Sequence, residues 1–198
     1  MARVVIGIGS CGFVFASLLA PSMGAQTEVL DRAFAPGGTV VLDLSAGEYE
    51  IVGTADNRIH VDWRESDSRD VNVDVDVKGR EATIWIDGPL TQGAEALVEL
   101  PQRTNLVVTL SAGELRIRRL EGSKNVSARA GEIEIEVGAR DQYRQVDASV
   151  RIGELRADAF DVKKEGFFRS FTWAGKGQYD LRAHLTVGEL NLQKGAGR

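Results

Sequence analysis

Hydrophobic and polar residues alternate with a period of two in several segments of the chain beyond residue 34. Such alternation is typical of β-strands that bury one face, and no segment shows a competing helical period. The sequence therefore predicts an all-β protein. The apolar positions of the alternating segments are Val40, Leu42 and Leu44; Val71, Val73, Val75 and Val77; Leu106, Val108 and Leu110; and Leu181, Ala183, Leu185 and Val187.

Five short segments repeat one pattern, in which a polar and an apolar residue precede Gly-Glu and an apolar-polar-apolar triplet follows it. The segments are Ser45–Ile51, Ser111–Ile117, Arg129–Ile135, Arg151–Ala157 and Thr186–Leu192. Their glycines are separated by 66, 18, 22 and 35 residues. Gaps of 18 and 22 fit single coils of a parallel β-solenoid, with glycine at each corner. The longest gap could hold three coils, and the gap of 35 fits a coil with an irregular insertion at 158–180. We therefore predict a single solenoid domain over residues 26–198.

The outward residue three positions after each glycine tests how the coils stack. Parallel coils in register would place these residues about 4.8 Å apart on neighbouring strands, where opposite charges stabilise the pair. The closely spaced copies give Arg, Glu and Arg, an alternation that favours stacking in sequence order. The five residues are Glu50, Arg116, Glu134, Arg156 and Asn191.

The segment Leu100–Ile117, with Leu120–Gly122 and Ala130–Ile135, resembles the bacterial "putative adhesin" domain of unknown function. That family shows a Leu-Pro, an apolar strand and then a chain of Gly-acidic-apolar-x-apolar coils. The resemblance covers roughly residues 34–192. It implies a parallel β-solenoid outside the cytoplasm, and it supplies no catalytic or binding residues for transfer.

The first 25 residues have the pattern of a secretory signal peptide. Arg3 precedes an apolar stretch that runs to Ala20, and small residues follow Pro21. The stretch contains several Gly and Ser residues and is too weakly apolar for a permanent membrane span. We predict cleavage after Gly24 or Ala25 and export to the periplasm, cell surface or medium. Lipid attachment at Cys11 is the less favoured alternative, because the apolar stretch ahead of it is short.

Composition excludes several classes of chemistry. Removal of residues 1–25 would leave 23 basic and 29 acidic side chains, which argues against nucleic acid or anionic lipid as partner. Cys11 is the only cysteine, so the exported chain would have no disulfide and no thiol nucleophile. His60 and His184 are the only histidines, and neither has ligand spacing to a second one. We expect no cofactor.

The glutamate that follows each repeat glycine is the candidate for a metal site. Stacked in register, Glu114, Glu132 and Glu154 would form a column of like charges that a calcium ion could neutralise. Calcium loops mix Asp, Asn and Gly at short spacing, and that pattern is missing. The sequence favours glutamates that extend into water, with Arg129 and Arg151 near Glu132 and Glu154.

The densest aromatic cluster interrupts the repeat. Aromatic rings beside Arg and Lys can stack on sugars or contact a partner, and they can equally cap the end of a solenoid. Both interpretations stay open for this segment. The candidate binding residues are Phe167, Phe168, Arg169, Phe171 and Trp173.

These observations favour a non-enzymatic envelope or secreted protein whose extended β surface binds a surface polymer or a protein partner, as an adhesin would. A structural scaffold that assembles end to end is one alternative. A secreted carbohydrate-active enzyme is another, with the amide of Asn72 and the carboxylates of Asp74 and Asp76 on one face of a strand as its candidates. An enzyme would need carboxylates that converge in a cleft, whereas a strand edge usually carries charge for solubility.

Overall fold

The computed structural model describes residues 27–64, 71–88 and 95–195. The predicted signal peptide lies outside the described residues. Within them the chain is all-β, with eleven strands, two single-turn 3-10 helices (Arg140–Gln142 and Asp158–Phe160) and no α-helix. The strands are β1 (Thr27–Ala33), β2 (Thr39–Thr54), β3 (Arg58–Arg64), β4 (Asn72–Lys78), β5 (Glu81–Asp87), β6 (Glu95–Pro101), β7 (Asn105–Arg118), β8 (Lys124–Val137), β9 (Tyr143–Ala157), β10 (Val162–Ala174) and β11 (Tyr179–Lys194).

Each repeat lies in one long strand that bends at its glycine. In β7 the side chains of Leu106, Val108 and Leu110 are buried before the bend, and those of Leu115 and Ile117 after it. The spacing between buried residues is two on either side of Gly113 but five across it. The strand therefore has a first arm and a second arm, and both arms face the same core.

The five repeat strands are parallel and in register, in the order β2, β7, β8, β11, β9. The expected stacking in sequence order is wrong at one place, because β11 lies between β8 and β9. Asn191 therefore separates Glu134 from Arg156, although Arg116 does neighbour Glu134 as predicted.

The repeat glycines form a column in which neighbouring backbones touch. A side chain added at Gly188 would lie 1.8 Å from the carbonyl oxygen of Gly131, and one at Gly131 would lie 1.8 Å from that of Gly113. Both residues also have φ near +130°, which L side chains rarely adopt. Close approach and backbone conformation together explain why each bend carries glycine.

Antiparallel strands lie at both ends of this stack. The sheet is therefore mixed, whereas the sequence predicted parallel pairing throughout. The 66-residue gap does not hold three coils. Instead β5 pairs with the first arm of β2 and β6 with its second arm, and both pairs are parallel. The antiparallel partners β4, β3 and β1 then extend the sheet.

Residues 158–180 are more regular than predicted. After the turn Asp158–Phe160, β10 pairs with β9 in antiparallel orientation along almost its whole length. The alternation of inward and outward side chains continues through this strand, which gives the aromatic residues two different environments.

One charged residue replaces an apolar one in the core. Lys124 lies in register between Leu106 and Leu181, and its side chain is only 1% exposed. Its ammonium donates hydrogen bonds to the carbonyl oxygens of Leu120 (2.8 Å) and Gly122 (3.3 Å) and to the Tyr143 hydroxyl (3.0 Å). The lysine thus uses all three donors inside the protein, as a buried ammonium must.

Candidate functional site

The predicted aromatic cluster separates into a packed half and an exposed half. Phe171 and Trp173 face inward, and each ring centroid lies 5.3 Å from that of the buried Phe160. Phe167 and Phe168 face outward with 68% and 76% of their side chains exposed. The capping interpretation thus fits the first pair, and only the second pair is available for recognition.

Phe168 has a strained backbone. Its φ is +51°, in the left-handed region, although Phe167 and Arg169 on either side remain paired with Ile152 and Val150 of β9. A left-handed conformation costs a non-glycine residue about 1–2 kcal/mol. The ring stands at the wall of a groove on the outer face of the sheet.

This groove is the candidate site and has a volume of about 900 Å³. It is open to solvent and crosses the first arms of the repeat strands at right angles to them. One polar residue from each of six neighbouring strands lines it, and the pairing register places these residues in a single row. From β2 to β10 the row reads Asp43, Thr109, Ser127, His184, Ser149 and Ser170.

A second cavity of about 490 Å³ continues the groove beyond β2. The two share Asp43 and Ser111. The second is lined further by Trp85 and Asp87 of β5 and by Asp74 of β4. At about 4.8 Å per strand the eight strands from β4 to β10 span roughly 34 Å. Trp85, which is 38% exposed, thus lies near one end and Phe168 lies at the other.

Three arginines line the half of the groove that contains Phe168. Arg129, Arg151 and Arg169 form no ion pair within the described parts of the chain. Arg129 and Arg151 are close in sequence to Glu132 and Glu154 but form no ion pair with them, because the glycine bend between them places arginine and glutamate on different arms. The Nε of Arg169 is also buried without a hydrogen-bond partner.

The repeat glutamates form the predicted column on the second arms. Glu114 and Glu132 are neighbours, but Glu189 lies between Glu132 and Glu154. Cations within the sheet neutralise parts of the column: the guanidinium of Arg156 bonds the Glu189 carboxylate at 2.9 Å, and Lys163 bonds Glu154 at 3.3 Å. Among the described residues, no group of three or more His, Cys, Asp or Glu side chains could hold a metal ion.

No protein-family model and no curated protein matches the chain. Solved structures resemble it at low identity, and the likeness assigns no residue role. One is a "putative cell adhesion protein" from Clostridium sporogenes, with 15% identity, a TM-score of 0.48, and coverage of 85% of this chain and 100% of that one. A "putative adhesin" from Bacteroides fragilis has 10% identity and a TM-score of 0.32, and the match covers 87% of this chain and 99% of that one. A "putative lipid binding protein" from Parabacteroides distasonis has 8% identity and a TM-score of 0.26, and the match covers 85% of this chain and 97% of that one.

The acidic residues proposed for an enzyme lie on one face of β4, as predicted. Asp74 reaches the second cavity, whereas Asp76 pairs with Lys78. In the main groove the Ser149 hydroxyl and His184 Nδ1 are 2.8 Å apart, but no carboxylate of the described residues hydrogen-bonds to this histidine. The pair thus lacks the third member of a hydrolytic triad. The structure also contains no helix, within its described ranges, that is long and apolar enough to cross a membrane.

Apart from Phe168 and Arg169, the groove residues were not proposed as binding residues from the sequence, although a signal exists. Five of the six occupy the position four residues before a repeat glycine, and the residues two before it include Arg129 and Arg151. Aligning the five copies over a longer window would therefore have shown a polar row next to a partly basic one.

Replacement of Glu132 by glutamine is expected to stabilise the protein. Partial burial, with the neighbouring charges of Glu189, Glu114 and Glu134, raises the pKa of Glu132. Because a raised carboxyl pKa means that ionisation destabilises the fold, the variant should gain up to about 1 kcal/mol at pH 7 and nothing near pH 3. Urea unfolding at both pH values checks this. Glu154→Gln is the matched control, since bonds from Arg156 lower the pKa of Glu154, and this variant should lose stability at pH 7.

Proposed function

We propose that the protein is an exported, non-enzymatic binding protein of the cell envelope or surface, and that the groove holds an extended polymer. The observation that carries the proposal is the row of polar side chains across six strands, continued toward Trp85 by a second cavity. A groove of this length fits a linear chain better than it fits a small molecule. Export rests on the signal-peptide pattern of residues 1–25, and we interpret the five stacked repeat strands as a solenoid-like surface.

The lining supports a carbohydrate polymer. Hydroxyl groups of Thr109, Ser127 and Ser149 can each donate and accept a hydrogen bond, which matches the hydroxyl-rich edge of a sugar chain. Exposed aromatic rings at Trp85 and Phe168 offer apolar faces on which sugar rings can stack. The groove therefore combines the two kinds of contact that an open polysaccharide site needs.

Blocking the middle of the groove is expected to abolish polymer binding. The purified protein would be co-sedimented with cell envelopes and insoluble polysaccharides, and compared with Ser127→Trp, in which an indole would fill the row between Thr109 and His184. We expect at least a tenfold loss of retention. Gln145→Trp is the matched control, because Gln145 is exposed on β9 but outside the groove. Equal retention of both variants and the wild type would contradict the proposal.

Assembly into a scaffold is the second candidate function, and one observation favours it. β10 is the last strand in the sheet order, and its outer edge pairs with no other described strand. Charged residues Lys163 and Lys164 and the left-handed Phe168 oppose strand addition at that edge. Concentration-dependent sedimentation would detect such assembly, which Lys163→Thr with Lys164→Thr should increase.

A further inference from the structure

We propose, on the basis of this binding function, that the polymer is an acidic polysaccharide whose anionic groups bind Arg129 and Arg151. The basic half of the groove, from β8 to β10, is the part that recognises charge. Of the two cavities described above, only this groove is lined by arginines, and they have no acidic partner among the described residues.

The contrast with the arginines on the second arms of the repeat strands supports this assignment. Arg116, Arg118 and Arg156 lie on the outer face of the second arms, and each forms an ion pair. Their guanidinium groups lie 3.7, 3.1 and 2.9 Å from Glu134, Glu50 and Glu189, respectively.

Arg129 and Arg151 lie on the first arms of β8 and β9, and Arg151 shares β9 with the ion-paired Arg156. In a chain with a net charge of −5, acidic partners are abundant, yet the groove arginines have none among the described residues. A guanidinium presents a fork of donors that matches carboxylate and phosphate oxygens. An external anion can therefore bind there without displacing an internal ion pair.

The spacing of the two arginines indicates how the charges of the ligand repeat. Arg129 lies on β8 and Arg151 on β9, and β11, whose Thr186 also lines the groove, lies between these two strands. Two strand steps place the arginines about 10 Å apart along the groove. That distance fits a polymer whose units repeat near the strand spacing and carry an acidic group on every second unit. The Thr186 hydroxyl would then contact the uncharged unit.

The ends of the groove differ in charge and would orient the polymer. Phe168 of β10 lines the same end of the groove as Arg151 of the neighbouring β9, so a sugar held by this arginine also meets an aromatic face. Asp43, Asp74 and Asp87 line the other end, where a second acidic group would be repelled. We infer that the neutral or amino-bearing units lie towards Trp85.

The test compares acidic polysaccharides with their own methyl esters, which keep the backbone and remove the charge. Polygalacturonate, alginate and hyaluronan would each be titrated in both forms by affinity electrophoresis. We expect at least one acidic form to bind at least tenfold more tightly than its ester, with a difference that shrinks at high salt. Arg129→Gln with Arg151→Gln should remove the difference. Arg118→Gln, on the second arm, is the control that should retain it.

Each contrary result has a distinct meaning. Equal binding of acid and ester, abolished by Ser127→Trp, would leave the groove function standing and overturn the acidic ligand. Failure of every acidic form to bind would also overturn it, as would binding to vesicles of anionic lipid in place of the polysaccharides. Loss of the proposed function itself would be recognised separately, by Ser127→Trp retaining wild-type binding to cell envelopes.

Discussion

Replacement of Gly188 by alanine is expected to lower the free energy of unfolding by roughly 3–5 kcal/mol, a large effect for one methyl group. Gly188 pairs with Gly131 on one side and Gly153 on the other, near the middle of the glycine column. The added carbon would lie 1.8 Å from the Gly131 carbonyl oxygen, and the φ of +132° is one that alanine rarely adopts. Because the obstacle is backbone within a paired sheet, β8 and β11 must move apart. Urea unfolding measures the loss.

Gly79→Ala is the matched control for this experiment. Gly79 also has a positive φ, +63°, but no atom lies within 4 Å of where its side chain would start. Alanine there bears only the conformational cost, about 1 kcal/mol. Equal losses in the two variants would show that backbone conformation alone, and not the contact between strands, requires glycine in the column.

Stability is expected to rise by about 2 kcal/mol between pH 8 and pH 10 because of Lys124. Burial lowers the pKa of this lysine to about 8, against the raising effect of the Glu121 and Glu136 charges. Between this pKa and its ordinary value of 10.5, the unfolded chain binds a proton that the folded chain has released. Raising the pH through this window therefore favours folding. The destabilisation caused by burying the charged ammonium of Lys124 is fully present at pH values below the lowered pKa.

Lys124→Met isolates the effect, because methionine keeps the length of the side chain and cannot titrate. The difference in unfolding free energy between variant and wild type should change across pH 8–10 and stay constant from pH 6 to 7.5. The comparison is limited to pH values below about 10. Above that pH the tyrosines of the unfolded chain ionise, whereas burial raises the pKa of Tyr49 in the folded chain to about 12. A constant difference from pH 6 to 10 would contradict the lowered pKa.

The local features of the fold were predictable from the sequence because they depend on neighbouring residues. Alternation identified the buried faces on both arms of β7, and the Gly-Glu pattern located all five bends. The glycine conformation followed from the same pattern. These features arise from period-two burial and from backbone sterics, and each is contained in a window of a few residues.

The order of the strands was not predictable in this way. All five copies have the same glycine, glutamate and apolar positions, so β11 fits equally well beside β8 or beyond β9 by that pattern. Asn191 is neutral and therefore tolerates Glu134 on one side and Arg156 on the other. Charges on neighbouring strands therefore excluded neither position of β11. The assumption that the strands stack in sequence order was wrong for this strand.

The candidate site was only partly predictable. The segment Phe167–Trp173 was identified by its composition, but alternation divides it between a packed and an exposed face, and only Phe168, Arg169 and Ser170 of the segment line the groove. The row that includes Thr109, Ser127 and His184 consists of ordinary surface residue types, each from a different strand. Such a row becomes visible only when the register of the strands is known.

The position of β11 between β8 and β9 also constrains how the protein can fold. Each of its two neighbours is synthesised before it, and β10 is synthesised as well before β11 can join them. The sheet consequently cannot close in the order of synthesis, and its slowest contacts join residues far apart in sequence. A chain still emerging from the ribosome would have β9 and β10 before β11, the strand that joins β9 to β8, is available. Late closure of this kind delays completion of the groove until β11 is released.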